Sequence, residues 1–163
     1  MHPTVQAKVM NKYPIVFRFR DIVAGNGFLA HVILDGRALL VVEDDGDHWV
    51  NGVQPGAVAG GAADSSTALN EFKARYQSVL FDIAGDVKTF DDFKRGVEEF
   101  FAGVSAEDEA EWNEALEAVR RSNASLDDLP TVKAETVPSR IGIIDIKIPQ
   151  PAMNELDHVA AAA

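Results

Sequence analysis

The stretch YPIVFRFRDI, residues 13–22, restricts the fold more than any other part of the chain. Ile15, Phe17 and Phe19 alternate with Val16, Arg18 and Arg20, the period of a strand that buries one face and leaves the other in water. Such a strand needs partners, and the residues that follow supply them. Gly25-Asn26-Gly27 is a turn signal, FLAHVILD a second strand, Asp35-Gly36 a second turn and RALLVVED a third strand. DDGD then makes a third turn and HWVNGV a fourth strand. With turns every 10 to 11 residues, the spacing predicts an antiparallel four-stranded meander.

Helices must cover that sheet. Pro55-Gly56 ends the last strand, and Gly60, Gly61, Ala62 and Ala63 carry the chain across the sheet with almost no side-chain bulk. Ser65 or Ser66 is placed to cap a helix in which Leu69, Phe72, Tyr76, Val79 or Leu80, and Ile83 fall at helical spacing. A second helix starts at Thr89, and Phe90, Phe93, Val97, Phe100 and Phe101 mark it as core. A third, from Ser105, has carboxylates in its first turns, Arg120 and Arg121 in its last, and a thin stripe of Trp112, Leu116 and Val119. Residues 123–138 read as linker. IGIIDIKI is a strand too apolar to stand alone, so it pairs with the main sheet or with another chain, and AMNELDHVA makes a short helix. The expected class is therefore α+β: the meander packed by one or two helices, an acidic helical extension, and a C-terminal strand plus short helix. The corresponding divisions are a flexible arm 1–12, an α+β domain 13–104, the acidic helix 105–122, the linker, and a strand-helix segment 139–163.

Charge and composition narrow the function classes. Of 163 residues, 15 are Lys or Arg and 26 Asp or Glu, for a net charge of −11. The acid is concentrated in residues 61–130, whose helices disfavour a phosphate backbone and attract a basic partner. There is no cysteine, which removes disulfides, thiolate catalysis and Cys-rich zinc sites. No apolar run approaches the roughly 20 residues of a membrane span, and residues 1–14 resemble no secretory leader, so a cytoplasmic location is expected.

Motifs for catalysis are missing. The glycines at 25, 27, 52, 56, 60 and 61 include no GK[ST] and no G-x-G-x-x-G after a parallel strand, so they read as turn residues. EDDGDH, residues 43–48, lacks the spacing of a calcium loop and suits a hairpin tip. His31 falls on a strand face with Leu29 and Ile33 and has no nucleophile beside it in sequence. No catalytic, cofactor or metal residue is assigned, and none of the three roles is expected. Arg18, Arg20, Trp49 and Trp112 are the candidates for contacting a partner, because Trp and Arg dominate interface hot spots. Ile141, Ile143, Ile144, Ile146 and Ile148 are the candidates for a homodimer interface, since an apolar strand edge invites pairing.

YPIVFRFRDIVAGNGFLAHV followed by GVQPGAVAGGAADSSTALNEFKARYQSVLFDIA resembles the antitoxin domain of HicB-like proteins over residues 13–85. Pro55-Gly56 and Ser66 to Phe72 carry most of the likeness. The resemblance implies a partly ribonuclease-H-like domain without enzymatic activity that covers a small basic ribonuclease toxin, with operator DNA contacted through the C-terminal segment. The chain departs from the pattern in its extra hairpin at 36–50, in Ala57 where the family often has Cys, and in the acidic helices after residue 88. SRIGIIDIKIPQPAMNELDHVA resembles the start of a ribbon-helix-helix unit, in which Arg140 and Lys147 would serve a dimer, but no second helix follows. Two alternatives remain at this stage. One is a metal-dependent nucleic-acid-processing enzyme in which folding gathers Asp21, Asp35 and Asp44. The other is a DNA-binding regulator acting through the C-terminal ribbon.

Overall fold

The structure is a computed structural model that describes residues 11–122 and 139–147. Residues 1–10 of the arm expected at 1–12, the linker, Ile148 and the short C-terminal helix lie outside the described residues, and Asn11 and Lys12 of that arm belong to the first strand. The architecture is α+β, an antiparallel curled sheet with three helices. Strands β1 (Asn11–Ala24) and β2 (Leu29–Val42) form a hairpin 14 residues long on each side, paired from Asn11↔Val42 to Ala24↔Leu29. Strand β3 (His48–Gln54) returns along β2, and β4 (Ala59–Ala62) along β3. The other edge of β2 is shared. Arg37 to Val42 pair with β3, whereas Ala30 to Asp35 pair with β5 (Arg140–Asp145), so β3 and β5 lie end to end beside one long strand.

The meander therefore has four strands, but not the four that turn signals predict. Asp35-Gly36 is no turn; it sits in the middle of β2. The reason is in the side chains around it. Asp35 is held across the strands by Arg18 on β1, at 2.8 Å, and by Arg140 on β5, at 3.0 Å. A Cβ on Gly36 would stand 2.6 Å from the Phe17 ring and from the Gln54 carbonyl oxygen, so the glycine makes room for an aromatic ring rather than for a reversal. Likewise Ala59 to Ala62, expected as a passage across the sheet, is itself the fourth strand.

One face of the sheet carries the main core. Helix α1 (Ser65–Asp86) buries Ala68, Phe72, Tyr76, Leu80 and Ala84, and helix α2 (Phe90–Ala102) buries Phe93, Val97 and Phe101. They meet Ile15, Phe17, Phe19 and Val23 of β1 and Ala30, Val32, Leu34, Ala38 and Leu40 of β2. Phe17 meets Phe72 edge-on at 4.9 Å and Phe19 meets Tyr76 at 5.0 Å, contacts worth about 1 kcal/mol each beyond the area they bury. The small residues ahead of α1 let it lie directly on the sheet. A Cβ on Gly60 would come within 2.4 Å of the Phe72 nitrogen and 2.9 Å of the Ala68 carbonyl oxygen, both backbone atoms. The cap is Asp64, not Ser65 or Ser66. Its carboxylate accepts from the Thr67 backbone N–H at 2.8 Å and from the Thr67 hydroxyl at 2.9 Å. Thr89, where the sequence places the start of the second helix, is the cap of α2 and accepts from the Asp92 N–H at 3.1 Å.

The described residues cover only half of the opposite face. Helix α3 (Ala106–Ser122) presses Trp112, Ala115 and Leu116 onto Leu39, Val41 and Val53. The narrow stripe seen in the sequence thus docks on the back of the sheet. One cation ties the parts together there: Arg37 of β2, 9% exposed, makes two hydrogen bonds to Glu109 of α3, at 2.7 and 3.0 Å. It also reaches Ser139 ahead of β5 and Gln54 of β3, and lies 5.1 Å from the Trp112 ring centroid. Lys12 adds a second pair to α3, 2.7 Å from Glu111.

Candidate interaction face

Period-two alternation in β1, β2 and β5 decides what the remaining half of the back face presents. The residues opposite the core are Arg18, Arg20 and Ile22 on β1, and His31, Ile33 and Asp35 on β2. On β5 they are Arg140, Gly142 and Ile144. The pairing register sets them out as three rows. Arg18, Asp35 and Arg140 form the first row, adjoining the half that α3 covers. Arg20, Ile33 and Gly142 form the second, and Ile22, His31 and Ile144 the third.

The first row is an ion triad. Arg18 Nε and an Arg140 guanidinium nitrogen donate to the two oxygens of Asp35. The hydrogen bond from Arg18, reinforced by Arg140, holds the Asp35 carboxyl below the usual carboxylate range although partial burial opposes it. The same pairing raises Arg18 above its already high value. Two guanidinium groups share one carboxylate, so the row keeps a positive charge. Arg20 is exposed, and no ion pair to it is recorded among the described residues. In the third row Ile22 and Ile144 are 56% and 51% exposed on either side of His31, an apolar pair open to water on a face otherwise marked by arginine.

Three residues singled out separately by the sequence, Arg18, Arg20 and Ile144, therefore share one surface. The other candidates do not. Trp112 is fully buried under α3 and takes no part in an exposed face, which corrects its assignment as a partner contact. Trp49 is 42% exposed on β3, with its ring over Gly61, away from the three rows. Ile143 and Ile141 join the main core, and β5 pairs with β2 of its own chain. The apolar octet thereby finds its partner strand internally, and Ile141 and Ile143 are core residues rather than interface residues. Ile146 donates its N–H to the Leu29 carbonyl and extends the same pairing. Ile22 and Ile33 were missed, and Asp35 and Arg140 were singled out for other roles, a metal site and a ribbon dimer, rather than for this face. The parity of Arg18 and Arg20 points to Ile22, but only the β2–β5 register brings Arg140 and Ile144 beside them.

The carboxylates proposed for a metal do not converge. Asp21 faces α1, where the Gln77 amide donates to it at 2.6 Å, whereas Asp35 faces the opposite side of the sheet. Among the described residues the acidic group whose oxygens come together is Glu43, Asp45 and Asp47, within 4.8 Å of one another at the exposed β2–β3 turn. Its arrangement follows from turn hydrogen bonds, Asp47 N–H to Asp45 at 2.9 Å and Gly46 N–H to the Glu43 carbonyl at 2.9 Å. No helix among the described residues is long and apolar enough to cross a membrane.

The acidic surface lies elsewhere, on the helices. Asp91, Asp92, Glu98 and Glu99 of α2 and Glu107, Glu114 and Glu117 of α3 are exposed. Comparison with protein families, with curated proteins and with solved structures gives no match to this chain.

Proposed function

We propose that this chain is a non-enzymatic, antitoxin-like protein that binds and occludes a small basic ribonuclease. The observation that carries the reading is where the acid sits: the carboxylates of α2 and α3 point outward while the same helices turn their aromatic residues inward. Such an exterior raises the encounter rate with a basic protein, and close packing then holds the complex. The unit that carries the resemblance to HicB-like antitoxins supports the reading as well. Strand β3, the Pro55-Gly56 loop, β4 and α1 form one continuous unit, in which Gly60 lies against the Phe72 backbone.

The test is genetic. A small basic reading frame beside the gene should arrest growth when expressed alone, and co-expression of this chain should restore growth. Arrest that persists at equal expression of both proteins, or a neighbourhood without such a frame, would count against the proposal.

A further inference from the structure

We infer that the half of the sheet's back face that no described residue covers is a docking surface for an acidic amphipathic helix of another protein. The inference is independent of the antitoxin reading and concerns a different surface. The occupant's chemistry is set by the helix that already covers the other half. Helix α3 lies on Leu39 and Val41 through Trp112 and Leu116, and its Glu109 and Glu111 reach Arg37 and Lys12 of the sheet. It is an acidic helix with a narrow apolar stripe on a sheet surface of aliphatic residues and cations.

The adjoining half repeats those ingredients. Ile22 and Ile144 stand on neighbouring positions of the outer strands, about 10 Å apart across two strand spacings. That distance suits apolar residues two helical turns apart, at i and i+7, whose axial separation is about 10.5 Å. Arg20 flanks them with no ion pair recorded among the described residues, and Arg18 and Arg140 share Asp35. A helix with leucines toward the isoleucines and glutamates toward the arginines would satisfy both features.

Two other occupants fit less well. A second copy packed face to face with its two-fold axis along β2 would put Asp35 against Asp35, and Arg18 against Arg140 of the other copy. With the axis across the strands, the ion triad would lie on the apolar row. Neither arrangement is complementary. A nucleic acid would gain little from two exposed isoleucines and would feel the repulsion of a chain carrying −11.

The experiment uses the full chain with isotope-labelled isoleucine methyls, titrated with three probes. The first is a synthetic helical peptide with leucine at i, i+3 and i+7 and glutamate on the flanks. The second is the same peptide with lysine for glutamate, and the third a single-stranded DNA oligonucleotide. The acidic peptide is expected to shift the methyl signals of Ile22, Ile33 and Ile144, and the lysine peptide to bind at least about tenfold more weakly. Arg20→Glu and Ile144→Ser, both at exposed positions, should each weaken the acidic peptide by about tenfold or more while leaving the circular dichroism unchanged. Four results would overturn the inference: no shift at these methyls, equal binding of the lysine peptide, binding of the DNA at the same methyls, or concentration-dependent self-association that Ile144→Ser abolishes. Methyls of Ile22 and Ile144 already shielded from a soluble paramagnetic probe in the isolated chain would overturn it too, because the face would then be covered from within.

Discussion

Gly60 is the residue on which the packing of α1 depends most directly. The atoms a Cβ would meet belong to the helix backbone, so no rotamer change can relieve the contact. Gly60→Ala should destabilise the fold by about 3 kcal/mol, read as a lower denaturant midpoint at unchanged slope, since overpacking costs roughly 1–3 kcal/mol and this case is extreme. Asp35 offers a test through pH. Its carboxyl titrates below its ordinary value because Arg18 and Arg140 favour the charged form. Stability from this source is therefore complete above the ordinary carboxylate pKa of about 4 and is lost as pH falls through the lower, folded-state value. The Tm difference between the native chain and Asp35→Asn should be full at neutral pH and close on acidification. A difference that grew as pH fell would contradict the ion triad. Tyr76 is of another kind: its hydroxyl is buried without a hydrogen-bond partner among the described residues, and burial alone pushes its pKa upward.

At the scale of the element, α3 shows how a helix with a thin stripe can still be fixed. Trp112 is its largest fully buried side chain, and Arg37 supplies a bidentate ion pair on a side chain that is 9% exposed. Trp112→Ala should cost about 3–5 kcal/mol and release the helix, seen as accelerated hydrogen exchange in residues 106–121. Trp112→Phe should cost less, because it keeps an aromatic ring while removing an indole N–H that has no acceptor among the described residues. Elements of this length were largely legible in the sequence. The alternation of Ile15, Phe17 and Phe19 gave β1, and the phenylalanines of α2 gave its buried face. Asp35-Gly36 misled because a turn dipeptide and a strand glycine under an aromatic ring look the same until the opposite strand is known. The Asp64 cap was missed for a related reason, since Asp, Ser65 and Ser66 are all good capping residues and only the geometry of the entering chain selects one. The interaction face was legible in part. Arg18 and Arg20 declare an exposed face by period, whereas their neighbours Arg140 and Ile144 come from more than a hundred residues away and depend on a pairing no local pattern encodes.

On the scale of the whole molecule, the long strand β2 organises everything else. One face of it bears the main core, its edge is divided between β3 and β5, and its back face is divided between α3 and the open rows. The charges follow the same division: cations project from the sheet's back, while carboxylates line the exposed surfaces of the helices. A fold divided this way offers two chemically opposite surfaces, and the acidic one bears the proposed occlusion of a basic ribonuclease. The most direct test of that claim is an RNA-cleavage assay of the small basic protein that the proposal expects to be encoded beside this chain, titrated with this chain at several salt concentrations. The account predicts loss of cleavage at a fixed stoichiometric ratio, with an association rate that falls steeply as salt rises. Cleavage unaffected by excess chain, or RNA cleavage by the chain itself, would contradict it.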